Sequence, residues 1–221
     1  MSKRLTRKRK NDLEENALAK EDAIKGTLSS KLATIDKNVD KKAKKEEIEY
    51  RHWLMKSEPE SRIENGFEMK FGVEDLKASK DKITHWDGVR NYEARNHMKA
   101  MKLGHKAFFY HSNCKTPGLV ALMTICKESY PDFTAFDKND AHFDPKSDIN
   151  NPKWYMVDVQ FDRDLKRFIS LNELKQYHLM HKKNGGPLAN LSLFTRSRLS
   201  VQGISDEEWN FIIELEDKSP L

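Results

Sequence analysis

The stretch KAFFYHSNCKTPGLVALMTICKESY, residues 106–130, decides the fold that we predict. In its first part Ala107, Phe109 and His111 share one face and the residues between them share the other, and a period of two predicts a β-strand. Pro117-Gly118 is typical of a turn, and the apolar run after it predicts a partner strand. The stretch therefore predicts an antiparallel hairpin in the middle of the chain.

Further strand and helix signals lie on both sides of this hairpin. Strands are predicted at RHWLMKSEP (51–59), WYMVDVQFDR (154–163) and RFISL (167–171), and LSLFTRSRLSVQ (191–202) is a strand or a turn. Helices are predicted at FGVEDLKAS (71–79), at residues 172–181 and at SDEEWNFIIELEDK (205–218), where Ser205 and Glu208 form a capping box. The Asp- and Asn-rich loop 131–153 has a length typical of functional loops. Together these elements predict an α+β domain, and a small, mostly antiparallel β-barrel with flanking helices fits them best.

Charge and aromatic content divide the chain into a tail and a body. Residues 1–50 contain 14 Lys and Arg against 10 Asp and Glu, whereas all Trp and Phe lie after residue 50. A segment without large apolar side chains cannot offset the entropy lost when it becomes ordered. We therefore predict a disordered basic tail over residues 1–48 and one folded domain over residues 49–221.

The basic cluster KRLTRKRK (3–10) is a candidate nuclear localisation signal, because dense positive charge attracts acidic partners. It consists of Lys3, Arg4, Arg7, Lys8, Arg9 and Lys10. The alternatives are contact with nucleic acid and a solvated end that only aids solubility. We favour import, which predicts a nuclear location and the import machinery as a partner.

Membranes, metals and other cofactors are not expected. The sequence has no apolar run near the roughly 18 residues of a membrane span, and no apolar segment that would make its N-terminus a secretory signal. Cys114 and Cys126 match no metal-ligand spacing and are expected to be reduced thiols.

The segment WDGVRNYEARNHM (86–98) predicts a helix preceded by a turn. Asn91 suits the N-cap, with the helix starting near Tyr92, and Gly104 suits the C-terminal stop. The predicted buried face consists of Ala94, Met98 and Met101. The basic residues on another face are Arg95, Lys99 and Lys102. Such a stripe is more often a solvated surface, but it could also follow a phosphate backbone.

The turn before this helix combines features that suit a nucleotide. Gly88 lets the backbone bend, Trp86 offers an aromatic plane and Arg90 offers a cation. The helix N-terminus adds unpaired N–H groups that favour an anion. The alternative is that Trp86 belongs to the core and Arg90 pairs with an acid, and this stretch alone slightly favours that alternative.

Five segments, in this order along the chain, carry a resemblance to a known family. They are WLMKSEP (53–59), WDGVRNYEARNHM (86–98), FFYHSN (108–113), PKWYMVDV (152–159) and LFTRSRLSVQ (193–202). Together they closely resemble the EVE domain, over about residues 51–217. The resemblance implies a PUA-like fold, a small mixed or antiparallel β-barrel with flanking helices, and a relation to readers of modified bases such as the YTH domains.

The resemblance further implies a non-enzymatic protein that binds a modified base in DNA, with 5-hydroxymethylcytosine the leading candidate. A pocket that surrounds a base must extrude it from the duplex. The predicted base-binding pocket comprises Trp53, Lys56, Ser57, Trp86, Gly88, Val89, Asn91, Tyr110, His111 and Ser112. The predicted phosphate contacts are Arg90, Arg95, Lys99, Arg196 and Arg198. Trp86 is the first candidate for the stacking wall, and Asn91, His111 and Ser112 are candidates for hydrogen bonds to the base edge.

Other functions stay open from the sequence. The same pocket could read a modified base in RNA, because contacts to the 2′-OH choose the sugar and the pocket does not. Catalysis is disfavoured, since the sequence has no G-x-S-x-G turn around Ser112, no zinc-deaminase signature and no Gly-rich phosphate loop. A protein-binding scaffold is a further alternative. We expect a monomer, because one compact domain with a disordered tail is compatible with that state.

Overall fold

The strands form one mixed sheet and one small hairpin. The computed structural model describes residues 49–64 and 66–221, so the predicted tail and its basic cluster lie outside the described residues. The strands are β1 (His52–Ser57), β2 (Arg62–Glu64), β3 (Phe67–Met69), β4 (Ile83–Trp86), β5 (Lys106–His111), β6 (Gly118–Pro131), β7 (Tyr155–Ser170) and β8 (Val201–Ile204). The helices are α1 (Val73–Ala78), α2 (Tyr92–Ala100), α3 (Leu171–Asn184), α4 (Ser192–Thr195) and α5 (Asp206–Glu214). Short 3-10 turns occupy Lys80–Lys82, Phe133–Phe136, Pro187–Asn190 and Leu215–Asp217.

The main sheet, within the described residues, has six strands in the order β4-β7-β6-β5-β1-β8. β1 and β5 are parallel, with His52 opposite Lys106, and the other neighbours are antiparallel. β5 and β6 form the predicted hairpin, in which Lys106 pairs with Thr124. β2 and β3 pair with each other as a separate hairpin.

The predicted closed barrel is wrong, while the α+β class is confirmed. Over residues 49–64 and 66–221 the sheet is open, and its edge strands β4 and β8 do not pair with each other. Helices α1 and α2 cover one face of the sheet, where Leu76 and Met98 pack with Trp53 and Phe109. These helical side chains complete a core that, in a barrel, opposing strands would enclose. α3 and α5 cover the other face through a second apolar cluster that includes Trp209.

Two helix N-termini follow their local signals, whereas α2 ends at Ala100 with Met101 as its C-cap, so the predicted stop at Gly104 is wrong. Asn91 caps α2, since its Oδ1 accepts hydrogen bonds from the backbone N–H groups of Glu93 and Ala94 at 2.9 and 3.1 Å. Ser205 caps α5 in a reciprocal box with Glu208. Both caps satisfy N–H groups that a helix leaves unpaired at its first turn, so both predictions are confirmed.

Several strand predictions need correction. β7 is one continuous strand although its sequence predicts two, because register shifts opposite β6 accommodate the charged residues in its middle. Residues 191–202 contain α4, a turn and the start of β8. β2, β3 and β4 have only three or four residues each, too few for an alternation to be recognised, so no strand is predicted there. Trp86 is the last residue of β4, directly before the turn that contains Gly88.

Candidate functional site

A cavity lies at the end of β4. Its volume is about 580 Å³, within the roughly 300–1,000 Å³ typical of ligand pockets. Its walls come mainly from the end of β1, the β2–β3 hairpin, the turn after β4 and residues 139–142 of the long loop. The predicted pocket residues that line it are Lys56, Ser57, Trp86, Gly88 and Val89.

The aromatic wall of the cavity is centred on Trp86. Trp86 is 6% exposed, and its ring meets Phe71 edge-on, with ring centroids 5.9 Å apart and planes at 87°. It meets Phe109 in the same way, at 5.3 Å and 76°. These are favoured aromatic geometries, so Trp86 is a core residue as well as a cavity residue. Phe67 and Phe71 are only half-buried, and both line the same cavity.

An ion pair holds the turn after β4. Asp132 is fully buried, and its Oδ2 accepts hydrogen bonds from Arg90 Nη1 at 2.7 Å and from the backbone N–H of Gly88 at 3.0 Å. Arg90 also donates from Nε to the carbonyl oxygen of His142 at 3.0 Å and from Nη2 to Thr134 Oγ1 at 3.2 Å. Burial alone would raise the pKa of Asp132, but hydrogen bonds from Arg90 and Thr134 outweigh it and lower that pKa. Arg90 therefore pairs with an acid. Its contact with a phosphate stays a prediction, and a phosphate would compete with Asp132, Thr134 and His142 for the guanidinium group.

Gly88 is the residue that the turn requires. Its φ is +70°, and a Cβ at this position would come within 2.5 Å of the His142 ring. Glycine tolerates this φ and leaves room for the imidazole, which lines the cavity. A side chain here would therefore alter the shape of the cavity as well as strain the backbone.

Titratable side chains surround this turn. Burial raises the pKa of Asp87, although the charges of His142 and His85 oppose the rise. Asp87 Oδ2 lies 3.7 Å from His85 Nε2, beyond hydrogen-bonding distance. His142 Nδ1 lies 3.2 Å from Asp140 Oδ1. The cavity can therefore offer both acceptors and donors to a polar ligand.

Lys56 lines the cavity as a partly buried cation. Burial lowers its pKa to about 8, and its Nζ donates to the carbonyl oxygen of Ser197 at 2.8 Å. The neighbouring Ser57 donates its hydroxyl to the carbonyl oxygen of Phe71. These bonds fasten the end of β1 to the two segments beside it and so fix the position of the ammonium group.

Other predicted pocket residues are placed away from the cavity. Trp53 is fully buried in the core and donates from Nε1 to His105 Nδ1 at 3.3 Å. Tyr110 is buried in the cluster on the opposite face of the sheet. Asn91 uses its side-chain oxygen to cap α2. Trp53 and Tyr110 are packing residues in this structure, and their predicted roles in binding have no support from its geometry.

His111 and Ser112 lie behind the cavity wall. His111 Nε2 accepts a hydrogen bond from the backbone N–H of Val73 at 3.2 Å. Ser112 donates from its backbone N–H and from Oγ to the carbonyl oxygen of Ser57, at 2.8 and 3.1 Å. His111 thus holds the start of α1 and Ser112 holds the end of β1, so any effect on a ligand in the cavity would be indirect.

The remaining phosphate candidates lie on α2 and on the segment after α4. Arg95 donates to a backbone carbonyl oxygen at 3.0 Å, and Lys99 Nζ lies 4.4 Å from the centre of a tyrosine ring. Arg196 forms an ion pair with Glu93. Arg198 is exposed, with no hydrogen bond or ion pair to other residues that the structure describes. These cations are separate from the cavity lining, and we call Lys99, Arg196 and Arg198 the basic surface.

The described part of the chain has neither a metal-binding cluster nor a membrane-spanning helix. Over residues 49–64 and 66–221, no group of three or more His, Cys, Asp or Glu side chains could hold a metal ion. No described helix is long and apolar enough to cross a bilayer. Cys114 and Cys126 are free cysteines.

Several important residues of the site have no role in the sequence-based prediction. Phe71, His85 and His142 line the cavity, and Asp132 holds the turn. His142 and Asp132 belong to the loop 131–153, whose length was the available signal. Phe71 and His85 carry no comparable signal, because only the packing of distant segments brings them to the cavity.

Comparison with known proteins identifies the family. A model of the EVE domain matches residues 51–215. The chain belongs to the EVE domain family. This EVE domain chain is 63% identical to thymocyte nuclear protein 1 of Homo sapiens over 169 residues, which cover 76% of this chain and 75% of that protein.

Two solved structures are similar to this EVE domain. The crystal structure of human THYN1 protein in complex with 5-methylcytosine-containing DNA has a TM-score of 0.76 and 63% identity, and covers 76% of this chain and 99% of that chain. The crystal structure of the DUF55 domain of human thymocyte nuclear protein 1 has a TM-score of 0.75 and 62% identity, with the same coverage. The EVE domain described above thus has the fold of these relatives.

Proposed function

We propose that this protein is a non-enzymatic reader of DNA that holds an extruded 5-modified cytosine in the cavity beside Trp86. The observation that carries the proposal is the cavity itself, which combines an aromatic wall with a turn where Gly88 leaves room for His142. The complex of human THYN1 protein with 5-methylcytosine-containing DNA supports it, because that protein is 63% identical to this chain.

The energetics of extrusion suit this cavity. Taking a base out of a duplex costs a few kcal/mol, and stacking on an aromatic side chain returns about 1–3 kcal/mol per base. The wall formed by Phe67, Phe71 and Trp86 offers that stacking surface. The basic surface would contact phosphates, which adds affinity that depends on salt and not on the base.

The 5-substituent is the finer part of the proposal. We propose 5-hydroxymethylcytosine as the first candidate, because polar side chains such as His85, Asp87 and His142 line the cavity and could pair with its hydroxyl. A site that hydrogen-bonds a hydroxyl rejects analogues without it far more strongly than an apolar site rejects one extra methyl group. Apolar lining by Met69 and Val89 would instead favour 5-methylcytosine.

A nuclear location is part of the same proposal. The basic cluster at residues 3–10 would engage the import machinery, and the relative at 63% identity bears the name thymocyte nuclear protein 1. We further propose that the protein acts as a monomer, because one cavity in one domain is sufficient to hold one base.

Binding by the full chain to matched probes tests the function. The probes are DNA and RNA oligonucleotides, duplex and single-stranded, with cytosine, 5-methylcytosine or 5-hydroxymethylcytosine at one position, measured by fluorescence anisotropy at one fixed salt concentration. We expect tighter binding to a 5-modified DNA duplex than to the unmodified one. Equal, salt-sensitive binding to all probes would contradict the proposal, and a preference for modified RNA would establish the RNA alternative.

A pair of variants in one hairpin links the binding to the cavity. Phe67→Ala removes a half-buried ring that lines the cavity, and should weaken binding of the modified probe by about tenfold. Ile63→Ala is the matched control, because Ile63 is on β2 of the same hairpin, is 69% exposed and is not part of the cavity lining. Equal effects of the two substitutions would place the base elsewhere.

A further inference from the structure

Asp87 is the half-buried carboxylate of the cavity that has the most unused hydrogen-bonding capacity. Glu58 receives hydrogen bonds from an arginine and from an asparagine side chain, each at 3.1 Å. Asp140 receives one from the backbone N–H of His142 at 2.8 Å and also lies 3.2 Å from Nδ1 of that residue. Asp87 receives one from its own backbone N–H and none from any other described residue, and its ion pair with His85 has a length of 3.7 Å.

Burial makes this unused capacity unfavourable in the free protein. The Asp87 side chain is 26% exposed, and burial raises its pKa. A carboxylate removed from water costs free energy unless donors replace its hydration. The neighbouring charges are those of His85 and His142, which favour the ionised form, and of Asp132, which disfavours it. A ligand that supplies an N–H donor would remove the cost.

Asp87 also occupies the position from which a base edge can be read. It lies between Trp86 of the aromatic wall and Gly88 of the turn, and all three residues line the same cavity. A planar base that stacks on the wall presents its face to the rings and its edge to the polar groups beside them. The edge of cytosine carries a 4-amino donor, whereas thymine carries a carbonyl acceptor at that position.

We propose that the carboxylate of Asp87 accepts a hydrogen bond from the 4-amino group of the extruded cytosine and thereby rejects thymine. The inference rests on the proposed function and adds the residue that determines its specificity. 5-Methylcytosine and thymine carry the same methyl group, so a pocket that read only the 5-substituent would bind both. Asp87 supplies the missing discrimination, because a carboxylate attracts the amino group and repels the carbonyl oxygen.

The test compares three bases in a setting where none of them is paired. The full chain is titrated with DNA duplexes that carry 5-methylcytosine, thymine or 5-methyl-2-pyrimidinone, which lacks the 4-amino group, opposite an abasic site. Extrusion then breaks no base pair in any probe. We expect the wild-type chain to bind 5-methylcytosine about tenfold or more tightly than either other base. Asp87→Asn can turn its amide to either base, so it should reduce the preference over thymine to about threefold or less.

The control is Asp81→Asn, which neutralises an exposed carboxylate before β4 that is not part of the cavity lining. This variant should keep the wild-type preference.

If Asp87→Asn does not fold, as judged by circular dichroism, Asp87→Ser removes the carboxylate in its place. A folded Asp87 variant that still prefers 5-methylcytosine as strongly as the wild type overturns the inference. The inference is also overturned if the wild type prefers 5-methylcytosine to cytosine but binds thymine as tightly as 5-methylcytosine. That result leaves the proposed function intact. Equal binding of cytosine, 5-methylcytosine and 5-hydroxymethylcytosine in the matched probes of the proposed function would remove that function itself.

Discussion

Arg90 Nη1 donates to Oδ2 of Asp132 at 2.7 Å, across 42 residues of sequence, and the carboxylate that it reaches is fully buried. The same oxygen accepts the backbone N–H of Gly88, so one buried acid connects the turn after β4 to the long loop that carries His142. Cavity shape in this EVE domain therefore depends on an ion pair that does not itself line the cavity.

Removing this acid should destabilise the protein. Asp132→Ala leaves Arg90 without its ionic partner and Gly88 without its acceptor, and breaking a buried pair costs about 3–5 kcal/mol. Urea unfolding of the two proteins measures the difference. Glu93→Gln is the control, because it breaks the exposed pair with Arg196 and should cost less than about 1 kcal/mol. Similar losses of unfolding free energy in both variants would show that the buried Arg90–Asp132 pair contributes no more stability than the exposed pair.

The same pair predicts a pH dependence with a definite sign. The pKa of Asp132 is lowered in the folded protein, because the native structure stabilises its ionised form more than the unfolded chain does. The stability that it contributes is complete above the unfolded value of about 3.9 and is lost as the pH falls through the lower folded value. The difference in unfolding free energy between wild type and Asp132→Asn should therefore be constant from about pH 5 to about pH 7 and shrink below about pH 4. A difference that stays constant down to about pH 2 would contradict this.

Two glycines separate backbone strain from cavity shape. Gly88 and Gly104 have positive φ values of 70° and 82°, but a Cβ would strike the His142 ring only at Gly88, and would meet nothing within 4 Å at Gly104. Each Ala substitution should cost about 1–3 kcal/mol of stability through φ. Only Gly88→Ala should also weaken binding of a 5-modified probe, by about tenfold. Unchanged affinity in folded Gly88→Ala would show that the position of His142 does not matter.

Sequence patterns predicted the parts of this fold that depend on short-range chemistry. The cap at Asn91 and the alternation of Phe108 and Phe109 are set by neighbours within a few residues, so both were predictable. The open sheet was not predictable, because no local pattern indicates that α1 and α2 cover one of its faces. The β2–β3 hairpin was missed for a related reason, since all three residues of β2 are exposed and none repeats an apolar period.

The candidate site divides in the same way. The sequence ranks Trp86 above Trp53 as the stacking wall, because Trp86 precedes the Gly88 turn, but it does not show how deeply either ring is buried. The structure separates them, because Trp53 is fully buried whereas Trp86 borders the space beside the turn. Asp132 and His142 reach the site through contacts across more than 40 residues, which residue spacing does not encode.

Lys56 should make binding depend on pH above neutrality. Burial lowers its pKa to about 8, so the free protein loses this charge between about pH 7 and about pH 9. If the ammonium faces the DNA backbone, affinity at fixed salt should fall over that range, and Lys56→Gln should remove this part of the fall. Lys70→Gln, which neutralises an exposed lysine of the same cavity, controls for the loss of one charge. A pH profile that is identical in wild type and Lys56→Gln would remove Lys56 from the interface.

The same shift also predicts a change in stability. The folded pKa of Lys56 lies below the unfolded value, so the unfolded chain binds the proton more tightly and the charge opposes folding below about pH 8. That penalty fades as the pH rises towards about 10.5. Relative to Lys56→Gln, the wild type should therefore gain stability from about pH 8 to about pH 10 in urea unfolding. A loss over that range would contradict the assigned direction.

The most direct test of the account observes the extruded base itself. In a DNA duplex with one 5-methylcytosine, the imino proton of the opposite guanine gives a resolved NMR signal while the pair is intact. We predict that saturating wild-type protein abolishes this signal and leaves the imino signals of distant pairs in place, because the cytosine has moved into the cavity beside Trp86. A complex that forms with 5-methylcytosine DNA and retains the guanine imino signal would contradict the central claim, since the base would still lie inside the helix.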